Sequence, residues 1–192
     1  MPDGDPFAAH AEAIREAIRA LNLRGRVLEI AAGTGQWTGL LAESAEELLV
    51  TDASPEMLAL NRAKVGEPSK LRRDVADAFA MKLSGRFDAV FFGFFLSHVP
   101  PDRFDRFWEA LGRLVARRGR VVFVDEGRHF LWREAWVDQA AGVVSRQLED
   151  GSTHRAVKVL WDPAELASHL RVLGWNASVQ AEGPFFWGTA SR

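Results

Sequence analysis

The residues able to do chemistry begin with the stretch Arg26 to Gly39, RVLEIAAGTGQWTG, and an acid, Asp52, that ends the next apolar run. Val27-Leu28 and Ile30-Ala31-Ala32 are apolar with one acid, Glu29, among them, and Gly33 and Gly35 flank Thr34 before the sequence turns amphipathic from Trp37. This reads as a buried strand, a tight glycine turn and the first turn of a helix. Glycine reaches backbone angles that other residues avoid and lets a ligand lie against the main chain. A helix N-terminus just beyond adds unpaired N–H groups facing that ligand. A second set is the histidines. His98 stands in Ser97-His98-Val99-Pro100, with His129 and His154 further on, and an imidazole of unperturbed pKa ~6.5 suits proton removal at neutral pH. Asp125 and Glu126 are acids of the same neighbourhood, expected to bind loop N–H groups.

These residues need a scaffold. Pro6 to Leu21 repeats apolar residues at helical spacing, with Asp5 as the expected N-cap and Pro6 at the first helical position. After the first strand come a helix Trp37 to Glu43, a strand Leu48 to Thr51 and a helix Glu56 to Lys64. A short strand then ends at Asp74-Val75, and Phe87 to Gly93 is a buried strand. A helix runs from Pro101 to Ala116, stopped by Gly119, and Val121 to Val124 is the fifth strand. Strands alternating with helices at this spacing imply a parallel, doubly wound α/β sheet, Rossmann-like and seven-stranded, with helices on both faces. Beyond Glu126, Phe130 to Ala141 reads as helical. Val143 to Leu148 and Thr153 to Leu160 read as a hairpin turned at Asp150-Gly151. Asp162-Pro163 caps a helix to Leu173, and Trp175 to Gln180 and Phe185 to Thr189 form a final antiparallel pair. The expected organisation is one domain over 1–192: a leading helix to 23, a core over 24–126, an insertion over 127–161 and a closing helix and strands over 162–192.

Composition narrows the function. A chain of 192 residues, 47% hydrophobic, can bury one full-sized core. With no cysteine, disulfides, thiolate catalysis and a thiolate zinc site are excluded. A net charge of −2 does not favour a nucleic-acid partner. The one basic run, Arg113, Arg117, Arg118 and Arg120, is expected at a helix end and the turn after it, where cations suit the helix dipole. The acidic N-terminus has no apolar signal core, and the apolar run Ala89 to Leu96 is far short of the ~20 residues of a membrane helix. No membrane partner and a cytoplasmic location are expected. Thirteen Phe and seven Trp with no Tyr supply aromatic walls rather than phenol acid–base groups.

The glycine spacing alone also fits a dinucleotide fingerprint. Glu29 within the strand, bulky Trp37 where a diphosphate needs close approach, and Asp52 followed by Ala53-Ser54-Pro55-Glu56-Met57-Leu58 point elsewhere. LEIAAGTG, LLVTDASPEML, RRDVADAF, FDAVFFGFFLSHVP and RGRVVFVDE, in that order over roughly Arg24 to Glu126, resemble the class I S-adenosylmethionine-dependent methyltransferases, and most closely their small-molecule, menaquinone-methylase-like type.

The resemblance implies a cofactor, S-adenosyl-L-methionine, leaving as S-adenosyl-L-homocysteine. It places Ala31, Gly33, Thr34, Gly35 and Trp37 along the cofactor's amino-acid part, with Glu29 orienting the loop and the amino group. It places Asp52 on the ribose hydroxyls and Ala53 and Met57 near the adenine. Asp74 and Val75 fall at the adenine edge, with Asp77 as an alternative, and Gly93 and Phe94 pass under the sulfonium. His98 is the expected general base. The substrate-binding set is Phe95, His98, His129, Trp132, Trp136, His154 and Arg155, with Phe94 and Phe186 as further walls. Arg155 and Lys158 would meet an acidic group or face solvent. The expected acceptor is a small secondary-metabolite or phenol-like molecule methylated on O or N. No metal is expected, because the carboxylates form no evident Mg²⁺ triad. A homodimer is compatible with the sequence. The rival readings are an NAD(P) oxidoreductase, a methylase of protein or RNA, and an adenosyl-binding protein without catalysis.

Overall fold

The computed structural model describes residues 7–148 and 150–192; the expected cap at Asp5-Pro6 lies outside them. Five parallel strands form the frame: β1 (Arg26–Ile30), β2 (Glu47–Asp52), β3 (Leu71–Val75), β4 (Phe87–Gly93) and β5 (Val115–Glu126). A three-stranded sheet follows, of β6 (Trp136–Asp138), β7 (Val143–Gln147) and β8 (Thr153–Val157). The closing strands β9 (Asn176–Glu182) and β10 (Phe185–Ser191) complete a seven-stranded sheet of order β3-β2-β1-β4-β5-β10-β9. β10 runs antiparallel to both of its neighbours, as the sequence implies. Strand order reverses between β1 and β4, and in an open sheet a crevice forms at the carboxyl ends on either side of such a reversal.

Period-two alternation divides the core. In β4, Phe91 packs with Val27, Val50 and Val124 on one face, and Phe92 packs with Leu28, Trp108 and Phe123 on the other. The first face is covered by α1 (Ala8–Ala20), α2 (Thr38–Ser44) and α3 (Pro55–Val65) and the second by α4 (Pro101–Leu114) and α5 (Pro163–Val172). Buried on both faces, β4 has no polar residue but Asp88. Local chemistry starts the helices. Ser54 Oγ accepts the Met57 N–H at 3.1 Å before Pro55, and Asp162 accepts from Ala164 and Glu165 at 2.8 and 3.1 Å before Pro163. No helix among the described residues is long and apolar enough to cross a membrane.

Two expectations are corrected. α4 ends at Leu114, and β5 starts at Val115 rather than Val121. Gly119 is therefore not a helix stop. It lies within the strand because β4 passes so close that a Cβ there would come within 2.8 Å of the Phe87 carbonyl oxygen. Of the basic run, Arg113 sits in the last turn of α4, while Arg117, Arg118 and Arg120 ride on β5, and Arg120 donates to the Leu21 carbonyl at 2.7 Å. The second correction concerns Phe130 to Ala141, which is not a helix. A 3-10 turn covers Arg128–Arg133, and β6 (Trp136–Asp138) joins β7 (Val143–Gln147) and β8 (Thr153–Val157) in an antiparallel sheet. The hairpin leaves an edge of unpaired backbone groups, and β6 satisfies them. The Ser145 N–H donates to the Ala135 carbonyl at 2.8 Å.

Trp108 is fully buried at the centre of the α4 face, with ring centroids 5.3 Å from Trp175 and 5.7 Å from Phe123. Its indole nitrogen has no hydrogen-bond partner among the described residues, so the side chain stabilises through apolar packing. Trp108→Ala should cost about 3–5 kcal/mol in urea unfolding, and Trp108→Phe well under half of that; equal losses would show that the indole nitrogen matters.

Candidate active site

The turn after β1 is built from left-handed backbone. Ala31, Gly33 and Gly35 have φ of 52°, 52° and 86°, and at Ala31 that costs about 1–2 kcal/mol. The surroundings hold the turn in place. The Ala32 N–H donates to the Thr51 carbonyl and the Gly35 N–H to the Ala32 carbonyl, both at 3.0 Å. Asp52, half-buried at the end of β2, accepts the Gly33 N–H on one carboxylate oxygen at 2.8 Å and the Ser54 N–H on the other at 2.9 Å. The two glycines serve different ends. A Cβ on Gly33 would meet nothing within 4 Å, so its surface is an open floor, whereas one on Gly35 would press on Asn61 at 3.0 Å and Val65 at 3.1 Å.

Glu29 lies beneath this floor, fully buried, and accepts from the Thr38 hydroxyl at 2.6 Å. Thr38 in turn accepts from the Asn61 amide at 2.8 Å, and Asn61 accepts from Arg73 Nε at 2.9 Å. One polar chain thus joins β1, α2, α3 and β3 under the turn. Burial pushes the Glu29 carboxyl up to about 8, against the opposing pull of the Thr38 hydrogen bond and Arg73. Glu29 therefore supports the loop from below.

Beside Asp52, the end of β3 carries apolar surface in the open. Val75 is 60% exposed and Phe79 37% exposed, with the Arg103 guanidinium 5.4 Å above the Phe79 ring. Asp77 turns this loop by accepting the Phe79 N–H at 2.8 Å, and Asp74 is exposed at the strand end. Ala53 is exposed and Met57 half-buried, one on each side of the α3 cap.

At the end of β4, Phe94 takes a left-handed φ of 56° and its N–H donates to the Val124 carbonyl at 2.8 Å. Trp37 packs on Gly93 so closely that a Cβ there would lie 2.4 Å from its Nε1. A cleft of about 700 Å³ opens here, lined by Ala8, Ala11, Arg15, Thr34, Trp37, Phe94 and Phe185 among others. Ala8, Ala11, Glu12 and Arg15 share one face of α1 by the i, i+3, i+4, i+7 rule; Ile14 and Ile18 are buried, and Ile14 also lines the cleft. α1 thus covers the cleft.

The structure disperses the expected substrate residues. Phe95 turns away from Phe94 and packs on Phe79, Phe92 and Phe107. Phe186 is buried in the core of the α4 face against Phe123. His98 is exposed, and its Nδ1 donates to the Val157 carbonyl at 2.8 Å. That bond requires the proton on Nδ1, which in the neutral ring leaves the lone pair on Nε2. His129 lies edge-on to Phe7 and Phe130. Trp132 is 72% exposed, whereas Trp136 is half-buried and donates to the Leu131 carbonyl at 3.1 Å. His154 and Arg155 are exposed on β8, with His154 3.0 Å from the Ser152 hydroxyl, and neither they nor Phe95, His98, His129, Trp132 and Trp136 are among the residues lining the cleft.

A buried cluster joins the insertion to the frame. Asp125 accepts the Ser97 and Glu126 N–H groups at 2.8 and 2.7 Å, so it does bind loop N–H groups. Burial raises its pKa, opposed by those bonds and by Lys158. Lys158, which the sequence leaves between solvent and an acidic ligand, is buried and reaches Glu126 at 2.5 Å and the Ser97 hydroxyl at 3.1 Å. No group of three side chains suited to a metal occurs among the described residues.

Comparison with known proteins decides the family. A methyltransferase-domain model matches residues 27–119. The complex of DhpI with SAH is 38% identical with a TM-score of 0.83, the match covering 96% of this chain and 84% of that one. The chain belongs to the class I S-adenosylmethionine-dependent methyltransferases, and S-adenosylmethionine is its cofactor. The DhpI–SAM–HEP complex is 37% identical with a TM-score of 0.84, covering 98% and 89%. An uncharacterized methyltransferase of Staphylococcus carnosus (strain TM300) is 28% identical over 121 residues, which are 63% of this chain and 56% of that protein. The match thus spans little more than half the length of that curated relative. The methyltransferase's own residues fit the cofactor. The open floor over Gly33, a half-buried acid at β2 and exposed apolar side chains at β3 suit an amino-acid tail, a ribose and an adenine in turn.

The buried Glu29 makes stability pH-dependent. Its folded pKa of about 8 lies above the ordinary 4.5, so the stability it allows is complete below pH 4.5. That stability declines as pH rises toward 8, by about 1.4 kcal/mol per unit at most. Glu29→Gln keeps an acceptor for Thr38 without the titration. Its urea midpoint relative to the parent should therefore rise between pH 5 and pH 8; a constant difference would show that Glu29 does not titrate in this window.

Proposed function

We propose that this methyltransferase moves a methyl group from S-adenosylmethionine to an oxygen or nitrogen nucleophile of a small, aromatic or secondary-metabolite-like acceptor. The observation that carries the reading is the cleft of about 700 Å³ beneath α1, walled by Trp37, Phe94 and Phe185 at the end of β4. Its size and apolar walls suit a small molecule. The DhpI complex that carries both SAM and HEP is a related chain with the cofactor and a further ligand together.

The bound cofactor supplies a methyl group on a sulfonium, an intrinsically good leaving group, so the protein's task is alignment. Asp52 uses one lone pair of each oxygen on backbone N–H groups, and a carboxylate has further acceptor capacity for the two ribose hydroxyls. Val75 and Phe79 would offer an apolar face to the adenine, and Asp74 would accept from its amine. Phe94, held left-handed by the Val124 bond, forms the wall beside the reacting carbon. His98 is the proposed base for an acceptor that must lose a proton. Val157 fixes its ring through Nδ1, and Nε2 takes the proton.

Two measurements test this. Asp52→Ala should weaken S-adenosylhomocysteine binding in titration calorimetry by about 1–3 kcal/mol, with NADP showing no binding to the parent; tight NADP binding alone would reverse the reading. Against a panel of phenols and amines, His98→Ala and His98→Asn should both slow methyl transfer by about 10²-fold or more. Asn keeps a donor for Val157, so recovery by Asn would make His98 a fastener of the insertion rather than a base.

A further inference from the structure

Resting on that reading of the cofactor, we infer that Arg15 of α1 receives the carboxylate of the cofactor's amino-acid tail, so that loading the cofactor docks the helix over the cleft. The sheet order sets the direction of the ligand. With the adenine at β3 and the ribose at Asp52 on β2, the tail runs across the open floor of Gly33 after β1 toward Thr34 and Trp37. Arg15 is there, lining the same cleft. One guanidinium nitrogen donates to the Gln36 carbonyl at 3.1 Å, and the group sits 5.6 Å above the Trp37 ring.

These two contacts orient the guanidinium without consuming it. Of its five N–H donors, one is used on Gln36. The nearest carboxylate is Glu12, one turn back at 3.9 Å and itself well exposed. The side chain as a whole is 33% exposed. A planar fork held against an aromatic ring and a carbonyl is pre-organised for a carboxylate. The other cation of the cleft, Lys64 on the last turn of α3, is exposed and has no such orientation.

The consequence for α1 follows from how it is attached. Of the residues of α1, only Ile14 and Ile18 are buried. Its remaining fastenings include surface pairs, Arg19 with Glu43 at 3.0 Å and His10 with Glu182 at 2.8 Å. Exposed pairs of this kind contribute little. A carboxylate that bridges Arg15 to the glycine turn adds a charge-assisted bond between cover and floor to the one that Arg15 already makes with the Gln36 carbonyl.

The test compares two compounds. S-adenosylhomocysteine carries the amino-acid tail, and 5′-methylthioadenosine keeps the nucleoside and thioether without it. In calorimetry, Arg15→Met should weaken the first by about ten- to a hundredfold and leave the second within twofold. Arg15→Lys should recover part of the loss, and Lys64→Met should change neither. Hydrogen exchange over residues 8–20 should slow on adding S-adenosylhomocysteine to the parent, and should not slow with methylthioadenosine or in Arg15→Met. Equal weakening of both compounds would make Arg15 a packing residue and overturn the inference, as would no weakening of either, or a loss seen only in Lys64→Met. A parent protein that bound neither compound would instead remove the cofactor reading itself.

Discussion

The site depends on one carboxylate that holds two loops at once. Asp52 takes the Gly33 N–H from the turn after β1 and the Ser54 N–H from the start of α3. Hydrogen bonds to a charged acceptor contribute roughly 1.5–3 kcal/mol each, enough to hold a turn that contains a left-handed alanine. From below, the chain Glu29, Thr38, Asn61 and Arg73 closes the same turn against α2, α3 and β3. The floor is therefore rigid before any ligand arrives, which is the condition for alignment to lower a barrier.

Around this rigid floor, the two covers are fastened differently. α1 rests on a few buried side chains and surface polar contacts. The insertion is tied down harder, by the buried Lys158 on Glu126 and Ser97, by the Val159 N–H on the Ser97 carbonyl at 2.7 Å, and by His98 on Val157. Removing one partner of a buried ion pair costs about 3–5 kcal/mol, so the insertion keeps a fixed relation to the end of β4. Of the two, α1 is the cover that lines the cleft, and it buries only Ile14 and Ile18.

Much of this was legible in the residues. The alternating strands and helices, the caps at Ser54 and Asp162, the turn at Asp150-Gly151 and the antiparallel last strand follow from local pattern and turn chemistry. Asp52 was recognisable as the acid that ends β2 from its place after an apolar run. What failed to show were features set by contacts distant in the chain. Gly119 looked like a helix stop, but it is small because β4 passes over it. Phe130 to Ala141 had helical spacing, yet the unpaired edge of a hairpin drew Trp136–Asp138 into a strand.

Side-chain destinations followed the same rule. The sequence by itself determined most of the element types, the sheet that must form and the strand ends where a crevice opens, because period, caps and glycine turns act within a few residues. Only the tertiary structure decided that Phe94 faces the cleft while Phe95 joins the α4 core, that Lys158 is buried on Glu126, and that His154 and Arg155 stay on an exposed strand. It also decided that Arg15, in a helix read only for its apolar face, stands over the glycine turn. Each depends on which surface arrives opposite, and the packing partners lie from 12 residues away, for Phe95 and Phe107, to 91 for Phe94 and Phe185.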